Sequence, residues 1–266
     1  MRTIPNKMFN SESDLTVVLT SCNRLDLLKT TLSSFFSCNT YPISEFIIIE
    51  DSGKILEKDI LVCIPEQFQE SVRIMINEVP LGQLASIDRA YSEIKTKYVF
   101  HCEDDWLFYR VGFIEDSMKV LENDHNILSV WLRDIHHDLI PNSNGKMHLK
   151  EMQTIENVNY FMYHYENEVG NGCFSLNPGL RYYEHYPDGG YASIARNKAK
   201  HIEVIMSEFY GSKGLYSVLL ECSALKHIGE NLHVADPFLL KSVRRRKFTI
   251  ALFIFVIGFI SGVILV

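Results

Sequence analysis

The sequence predicts an α/β protein in which a mostly parallel, Rossmann-like sheet is flanked by helices and followed by one C-terminal transmembrane helix. In its first half, β-rich runs alternate with amphipathic helical segments, which implies right-handed crossovers between parallel strands. The strands are apolar without interruption, as is typical of a sheet covered on both faces. An uncharged apolar run then ends the sequence.

The elements of the first half follow one another closely. Leu15–Arg24 (LTVVLTSCNR) is a β-rich run that breaks into a polar turn, and an amphipathic helix is predicted through LDLLKTTLSSFF. Further strands are predicted at EFIIIEDSG, SVRIMINEV and KYVFHC, with a helix at PLGQLASIDRAYSEI between the last two. From about residue 130 the chain is rich in Tyr, Asn, Gly and His, and loops are expected there.

Polar residues follow three of the predicted strands, at the point where each strand ends. They are Thr20–Arg24, Glu50–Ser52 and Glu103–Asp105. Ligands of open α/β sheets bind beyond the carboxyl ends of the strands. The sequence therefore predicts that these residues line one crevice.

The acidic cluster Glu103-Asp104-Asp105 is the sharpest chemical feature of the sequence. Crowded carboxylates repel one another and raise each other's pKa, and a divalent cation relieves this repulsion. Oxygen ligands suit Mg²⁺ or Mn²⁺, either of which can bridge a diphosphate. An isolated acidic run is usually a solvated turn, but its position directly after YVFHC favours a metal site.

Charge and cysteine content narrow the classes of function. All 33 acidic residues and 21 of the 26 basic residues precede position 241, so residues 1–240 carry a formal charge of −12. Such an acidic body argues against nonspecific nucleic-acid binding, which needs a basic surface. The six cysteines include no CxxC pair, so they predict neither a zinc site nor a disulfide framework and indicate a reducing compartment.

The C-terminal sequence predicts a single-pass membrane anchor. Residues 248–266 contain no charge, and at about 1.5 Å per residue they nearly cross a hydrocarbon core of about 30 Å. A buried core helix is the alternative, but it would normally show a polar face. The basic segment 241–247 favours a cytoplasmic location for the part of the chain that precedes it. Residues 1–13 are interpreted as an N-terminal leader. They contain no apolar h-region, so a secretory signal is not expected there.

The ordered motifs resemble those of GT-A glycosyltransferases, especially family 2 enzymes and the N-acetylglucosaminyltransferase I type with its EDD version of the DXD motif. TVVLTSCNR resembles the family's first strand and turn, EFIIIEDSG its second strand, and KYVFHCEDDWLF the strand that ends in DXD. The resemblance implies a GT-A domain over 14–240, with a nucleotide-sugar-binding half over 14–108 and an acceptor-side half over 109–240.

One segment departs from the family pattern. Ser86-Ile87-Asp88 stands where family 2 enzymes often have ARN. Gly82 of the family motif is retained, and Arg89 is expected to serve a purpose related to that of the missing arginine. This departure leaves the identity of the donor open.

The resemblance also implies roles for individual residues. Asp51 would accept a hydrogen bond from a uracil or guanine imino group, and Asp105 would bind the metal. The other implied contacts with the nucleotide sugar come from the same strand ends: Thr20, Arg24, Glu103 and Asp104, with Arg24 as a phosphate partner. The late HIG segment supplies a second metal ligand, His227, in preference to His233.

Transfer of a sugar with inversion needs a general base that takes the proton of the acceptor hydroxyl. In GT-A enzymes this base is an Asp or Glu near the start of a helix beside the acceptor. The predicted helix HIEVIMSEFY offers Glu203 for this role. Glu208 and Asp188 are the alternatives.

Together these expectations describe a membrane-anchored, metal-dependent hexosyl- or N-acetylhexosaminyltransferase that uses a UDP- or GDP-sugar. Its acceptor is expected to be a lipid-linked or surface glycan, because tethering raises the local concentration of a membrane-bound acceptor. A catalytically inactive GT-A-like protein that binds nucleotide or glycan is the main alternative. A sugar nucleotidyltransferase is less favoured, because SCNRLD lacks the Gly-rich basic loop of those enzymes.

Overall fold

The computed structural model describes residues 8–166, 169–195 and 202–229. The strands are β1 (Leu15–Ser21), β2 (Glu45–Glu50), β3 (Val72–Ile76), β4 (Tyr98–Glu103), β5 (Trp106–Phe108), β6 (Ile127–Trp131), β7 (Met147–Ile155), β8 (Val158–Tyr165), β9 (Gly179–Tyr182), β10 (Tyr216–Leu220) and β11 (Leu225–His227). Nine of these described strands form one sheet in the order β3-β2-β1-β4-β9-β6-β10-β8-β7, and β5 pairs with β11 in a separate sheet.

The first half of the large sheet is parallel, as the sequence predicted. β1 pairs in parallel with β2 and β4, and β2 pairs in parallel with β3. The second half is mixed, because β9 runs antiparallel to β4 and β6, and β8 runs antiparallel to β7 and β10. The prediction of a mostly parallel sheet therefore holds for β1 to β4 and is wrong for the second half. There β7 and β8 are antiparallel because they form a hairpin, and β9 runs antiparallel to both of its neighbours.

Helices cover the sheet and hold the loops at its carboxyl edge. They are α1 (Leu25–Cys38), α2 (Glu57–Leu61), α3 (Gln83–Tyr91), α4 (Phe113–Asn123), α5 (Ile140–Asn142), α6 (Tyr191–Ala195) and α7 (Ile202–Gly211). α1 buries Leu28, Leu32 and Phe35 at the three- to four-residue spacing of an amphipathic helix. The ring of Phe35 meets that of Phe46 on β2 edge to face at 5.3 Å, which fixes α1 against the sheet.

Two of the three hydrophobic clusters among the described residues lie on opposite faces of the sheet. Along β2, Phe46 and Ile48 belong to the core beneath α1 and α4, whereas Ile47 and Ile49 belong to the core beneath α3, α6 and α7. Successive strand residues point to opposite faces, so a strand that is covered on both sides must be apolar throughout. This packing is the physical reason for the FIII run.

The second half of the chain is more regular than its sequence predicted. β7 and β8 form a long hairpin, and Ile135–Leu139 forms a π-helical turn that the Asp134 carboxylate caps. The hairpin has little sequence signal because β7 is largely exposed and so lacks the apolar alternation that identifies a half-buried strand.

The structure describes the N-terminal end of the chain from residue 8 and the C-terminal end as far as residue 229. Met8 is buried and Phe9 forms a β-bridge with Ile43, so the end of the predicted leader packs on the domain. The basic segment 241–247 and the predicted membrane run 248–266 lie outside the described residues. Within the part of the chain that the structure describes, no helix combines the length and the apolar character that a membrane crossing requires.

Candidate active site

Hydrogen bonds tie together the carboxyl ends of β1, β2 and β4, where the sequence predicted a shared crevice. After β1, the backbone N–H of Cys22 donates to Asp104 Oδ2 at 3.2 Å, and that of Asn23 donates to Glu50 Oε1 at 3.0 Å. Glu50 is fully buried, and its Oε1 also accepts a hydrogen bond from the N–H of Ser52. Glu50 therefore shapes the polar rim by holding the loops after β1 and β2.

Asp104 and Asp105 form the turn between β4 and β5, and α1 holds this turn in place. Thr31 Oγ1 donates to the backbone carbonyl of Asp104 at 2.8 Å and accepts from the N–H of Trp106 at 3.0 Å. Thr31 and both aspartates are at most 5% exposed. Because buried backbone groups need such partners, Thr31 fixes the direction in which the two carboxylates leave the turn.

The guanidinium of Arg24 forms ion pairs with both aspartates and balances one of their two negative charges. Its Nε and Nη2 donate to the Asp104 carboxylate, and its Nη1 donates to Asp105 Oδ2 at 2.7 Å. Burial nevertheless raises the pKa of Asp104 to about 6, because desolvation outweighs the opposing effect of Arg24. Asp104 faces Arg24 and the end of β1, and its contact with a base or ribose stays a prediction.

Asp105 and His227 form the pair that best fits a divalent cation. β11 pairs with β5 and sets His227 opposite Trp106, which brings His227 Nε2 to 3.3 Å from Asp105 Oδ2. Burial alone would raise the pKa of Asp105, but the hydrogen bond from His227 and the charge of Arg24 together lower it. Asp105 Oδ1 is buried and has no hydrogen-bond partner among the described residues, so this carboxylate keeps an unused oxygen.

The Asp105–His227 pair could supply two protein ligands to a cation. Within 8–166, 169–195 and 202–229, no group of three or more His, Cys, Asp or Glu side chains is arranged to hold a metal ion. Mg²⁺ is commonly bound by only one or two carboxylates, with water and substrate phosphates completing its coordination. The residues present therefore fit a cation of the Mg²⁺ or Mn²⁺ kind that is shared with a phosphate-bearing ligand.

Gly229 leaves room for the Asp105 carboxylate. A Cβ at position 229 would lie 2.3 Å from Asp105 Oδ2, well inside van der Waals contact. We expect Gly229→Ala to weaken Mn²⁺ binding at least tenfold in a calorimetric titration, because the methyl group must displace the carboxylate or the segment that carries His227. The control Gly145→Ala adds strain at φ +78° but meets nothing within 4 Å. Equal losses in the two variants would contradict the prediction.

The Asp51 carboxylate lies in a cradle formed by the loop before α3. Its Oδ1 accepts hydrogen bonds from Leu81 N–H and Asn77 Nδ2, both at 2.7 Å, and its Oδ2 accepts one from Gly82 N–H at 2.8 Å. Each carboxylate oxygen can accept two hydrogen bonds. Oδ2 thus retains capacity for one further donor, which is the requirement for the predicted contact with a base.

The segment that departs from the family pattern supports this cradle. Ser86 Oγ accepts a hydrogen bond from Asn77 Nδ2 at 2.9 Å, and Arg89 Nη1 donates to Asn77 Oδ1. Asp88 instead accepts from the first two backbone N–H groups of α6, at 2.8 and 2.9 Å. Arg89 therefore holds the Asn77 side chain in the orientation in which its amide donates to the Asp51 carboxylate.

Thr20 and Glu103 lie side by side at the ends of β1 and β4, where they are partners in the parallel ladder. Glu103 Oε1 accepts a hydrogen bond from Gln83 Nε2 at 2.8 Å. Burial raises the pKa of Glu103 to about 8, and the neighbouring aspartates and, more weakly, Glu203 add to the rise. Crowded carboxylates of this kind are strongly stabilised by a nearby cation.

A cavity of about 260 Å³ lies among the end of β6, the π-helical turn and the start of α7. Glu203 lines this cavity, and its Oε1 accepts hydrogen bonds from Ser175 Oγ at 2.9 Å and Leu176 N–H at 3.3 Å. The N-terminal end of a helix favours a negative charge. Glu203 is thus a carboxylate held in a defined orientation at the wall of a cavity.

Arg133 connects this cavity to the Asp–His pair, and the sequence did not single it out. Arg133 lines the cavity, and its guanidinium carbon lies 5.4 Å from the ring centroid of Trp106. The Trp106 ring in turn lies 4.9 Å from that of His227. Arg133 belongs to no recognisable motif, and the one local signal is Asp138, five residues later, whose carboxylate it pairs with at 2.6 and 2.7 Å.

The sequence also offered alternatives for the general base and for the second metal ligand. These residues either do not line the cavity or lie outside the described residues. Asp188 is exposed in the turn before α6, and Glu208 is half-buried on α7, but neither lines the cavity. His233 lies outside the described residues. Glu203 and His227 are therefore the candidates that the described structure brings to the site.

Solved structures with a similar fold were found, although no family model and no curated protein sequence matches this chain. The mannosyltransferase PcManGT from Pyrobaculum calidifontis, in complex with GDP-Man and Mn²⁺, aligns with a TM-score of 0.53 and 10% identity over 82% of this chain and 59% of its own. TarS 1-349 of S. aureus aligns with a TM-score of 0.50 and 13% identity, over 79% and 59%. GalNAc-T7 with UDP, GalNAc and Mn²⁺ aligns with a TM-score of 0.59 and 13% identity, over 80% and 42%.

Because the sequence identities are only 10–13%, these alignments establish the fold and nothing further about this chain. The chain spans between 42% and 59% of the lengths of the three proteins. All three have the GT-A fold of glycosyltransferases. The likeness covers about four fifths of the present chain, and it shows that this chain has the GT-A fold.

Proposed function

We propose that this protein is a metal-dependent hexosyl- or N-acetylhexosaminyltransferase that moves a sugar from a UDP- or GDP-sugar to an acceptor hydroxyl with inversion. The observation that carries the proposal is the Asp105–His227 pair at the carboxyl end of the parallel strands. GDP-Man and Mn²⁺ in one solved neighbour, and UDP and Mn²⁺ in another, support the same class of donor and metal.

The donor would bind along the carboxyl ends of β1, β2 and β4. The base and ribose would be contacted by side chains at these strand ends: Thr20, Asp51, Glu103 and Asp104. Arg24, which lies beside the acidic turn, would pair with the diphosphate. A divalent cation held by Asp105 and His227 would supply neutralisation of the charge that develops on the leaving diphosphate.

Glu203 would act as the general base. Its carboxylate would take the proton of the acceptor hydroxyl while that oxygen bonds to the anomeric carbon. The bond from this carbon to the diphosphate would break, and its electron pair would leave with the nucleoside diphosphate. Ser175 and Leu176 already orient one oxygen of Glu203 through hydrogen bonds. A positioned base typically contributes about 10²–10⁴ in rate.

Incubating the purified protein with a panel of UDP- and GDP-sugars tests the proposal. Slow release of UDP or GDP that requires Mn²⁺ or Mg²⁺ and disappears in Asp105→Ala would support it. No release from any donor would favour a catalytically inactive GT-A-like protein that binds nucleotide or glycan. Formation of a nucleotide sugar from a sugar phosphate and a nucleoside triphosphate would favour a nucleotidyltransferase.

The membrane anchor belongs to the same proposal. Residues 248–266 would hold the catalytic domain on the cytoplasmic side of a membrane that carries a lipid-linked or surface glycan as acceptor. Deleting residues 241–266 is expected to leave activity on soluble acceptor analogues unchanged and to lower activity on membrane-bound acceptor about 10²-fold, because tethering raises local concentration. Paired assays with a soluble acceptor analogue and with a vesicle-bound acceptor check this. Equal activity on both acceptors before and after the deletion would discard the anchor.

A further inference from the structure

A buried arginine lies behind the loop that holds Glu203. Arg181 is 3% exposed, and on β9 it is the ladder partner of Val99 on β4. Its Nη2 donates a hydrogen bond to the backbone carbonyl of Ser175. No carboxylate among the described residues forms an ion pair with Arg181. A buried cation usually has an ionic partner, because leaving it unpaired is costly.

Aromatic side chains surround the Arg181 guanidinium. Its carbon lies 5.2 Å from the ring centroid of Phe174, within the range of a cation–π contact. Burial acts to lower the pKa of Arg181, but the phenol groups of Tyr91, Tyr191 and Tyr210 act to raise it, and the net shift is upward. The residue is therefore a cation at every working pH, and packing fixes its position.

The carbonyl that accepts from Arg181 and the amide that donates to Glu203 belong to one peptide group. Ser175 supplies the C=O, and Leu176 supplies the N–H, whose nitrogen lies 3.3 Å from Glu203 Oε1. The Ser175 hydroxyl donates to the same oxygen at 2.9 Å. Hydrogen bonds in a chain polarise one another where water is excluded, and both loop residues are at most 5% exposed. A cation at the carbonyl end thus makes the N–H a stronger donor to the carboxylate.

We propose that Arg181 is a positioning residue for Glu203 and acts through the Ser175–Leu176 peptide group. The proposal rests on the proposed function where it takes Glu203 to be the general base. The guanidinium holds the peptide group by its carbonyl, and its charge strengthens the hydrogen bond that fixes Oε1. The carboxylate is thereby kept in one orientation at the wall of the cavity, whatever other groups contact it.

The peptide group in question can be observed by itself, because serine is followed by leucine only once in the sequence, at Ser175–Leu176. Full-length protein labelled with ¹³C-carbonyl serine and ¹⁵N-leucine therefore gives one amide signal in an NMR spectrum that selects directly bonded ¹³C–¹⁵N pairs. Glu203→Gln removes the charged acceptor of this N–H and is expected to move its proton resonance upfield. That movement sets the scale for the other variants.

Two substitutions of Arg181 separate its charge from its capacity to donate. Arg181→Gln keeps a donor but removes the charge, and it is expected to move the Leu176 proton resonance upfield by at least one third of the movement in Glu203→Gln. Arg181→Lys keeps the charge and is expected to move the resonance at least threefold less than Arg181→Gln does. Arg73→Gln removes an exposed cation on β3 and, as the control, should leave the resonance in place.

Equal movements in folded Arg181→Gln and Arg181→Lys, or no movement in Arg181→Gln, would overturn the proposal. If Arg181→Gln does not fold, Arg181→Lys decides alone. A resonance close to its position in the unmodified protein would then support the proposal, and a movement as large as that in Glu203→Gln would contradict it.

Kinetics of donor hydrolysis connect this contact with catalysis. Arg181→Gln is expected to lower kcat about tenfold and to leave the KM for donor nearly unchanged, because the base is held less firmly while the donor site is intact. Arg181→Lys is expected to restore kcat to within threefold of the unmodified protein. An equal loss of kcat in both variants would indicate a general disturbance of packing and overturn the proposal.

The two measurements also distinguish this proposal from the proposed function. A protein that shows the expected resonance shifts but never releases UDP or GDP would contradict the proposed function and leave the coupling between Arg181 and Glu203 standing. A protein that releases nucleotide, but whose folded Arg181→Gln variant keeps both its resonance and its kcat, would do the reverse.

Discussion

Asp105→Asn is expected to lower Mn²⁺-dependent release of nucleotide about 10³-fold or more and to remove measurable Mn²⁺ binding. The substitution keeps the shape of the side chain but removes the negative charge that faces His227 and Arg24. Neutralisation of a leaving group by a metal ion contributes several kcal/mol, and each step of about 1.4 kcal/mol changes a rate tenfold. Mn²⁺ titration and donor hydrolysis on the same samples measure both effects.

The fold is expected to tolerate this substitution, because Arg24 keeps its contacts with Asp104. Thermal unfolding of the variant should therefore remain cooperative, with a lower midpoint because the ionised Asp105 carboxylate stabilises the folded state. Glu12→Gln, an exposed carboxylate-to-amide change, is the matched control for loss of one charge. A folded Asp105→Asn protein that binds Mn²⁺ as tightly as the unmodified protein would remove Asp105 from the metal site.

Glu203→Gln is expected to lower kcat by about 10²–10⁴ while leaving the KM for donor nearly unchanged. An amide can still accept the hydrogen bonds from Ser175 and Leu176 through its oxygen, so the side chain should keep its orientation. It cannot take a proton at neutral pH, which removes general-base catalysis and its typical contribution. Steady-state kinetics of donor hydrolysis, in which water takes the place of the acceptor hydroxyl, measure the loss.

Two matched substitutions separate Glu203 from the other carboxylates considered as bases. Glu208→Gln lies on the same helix but not at the cavity, and Asp188→Asn lies in the exposed turn before α6. Both are expected to retain kcat within about threefold, because surface substitutions away from the reacting groups usually have small effects. A large loss in either variant, with kcat preserved in Glu203→Gln, would reassign the base.

The parallel half of the fold could be predicted because its signals are local. The FIII run on β2 is apolar at every position since both faces of the strand are covered, and α1 repeats its apolar residues with helical spacing. The convergence of Asp51 and Glu103–Asp105 on one edge follows from a general property of parallel sheets. These features depend on near neighbours in the chain, and sequence alone was enough to locate them.

The different tasks of the three acids could not be predicted in the same way. Glu103 lies at the strand end beside Thr20, Asp104 turns back to Arg24, and Asp105 faces His227. Three consecutive carboxylates look alike in a sequence, because nothing local records which way each side chain leaves the turn. Thr31, more than 70 positions earlier in the chain, sets those directions through its two hydrogen bonds.

By itself, the sequence determined that the first half of this protein builds parallel α/β structure with acidic residues at the ends of its strands, because apolar periodicity and the order of strands are encoded in short stretches of chain. Only the tertiary structure decided which residues meet in that crevice. The contact of Gly229 with Asp105, the path from Arg133 through Trp106 to His227, and the cavity beside Glu203 all join segments that are far apart in sequence. Such contacts arise from packing between secondary-structure elements, and this packing produces no periodic pattern in the sequence from which the contacts could be predicted.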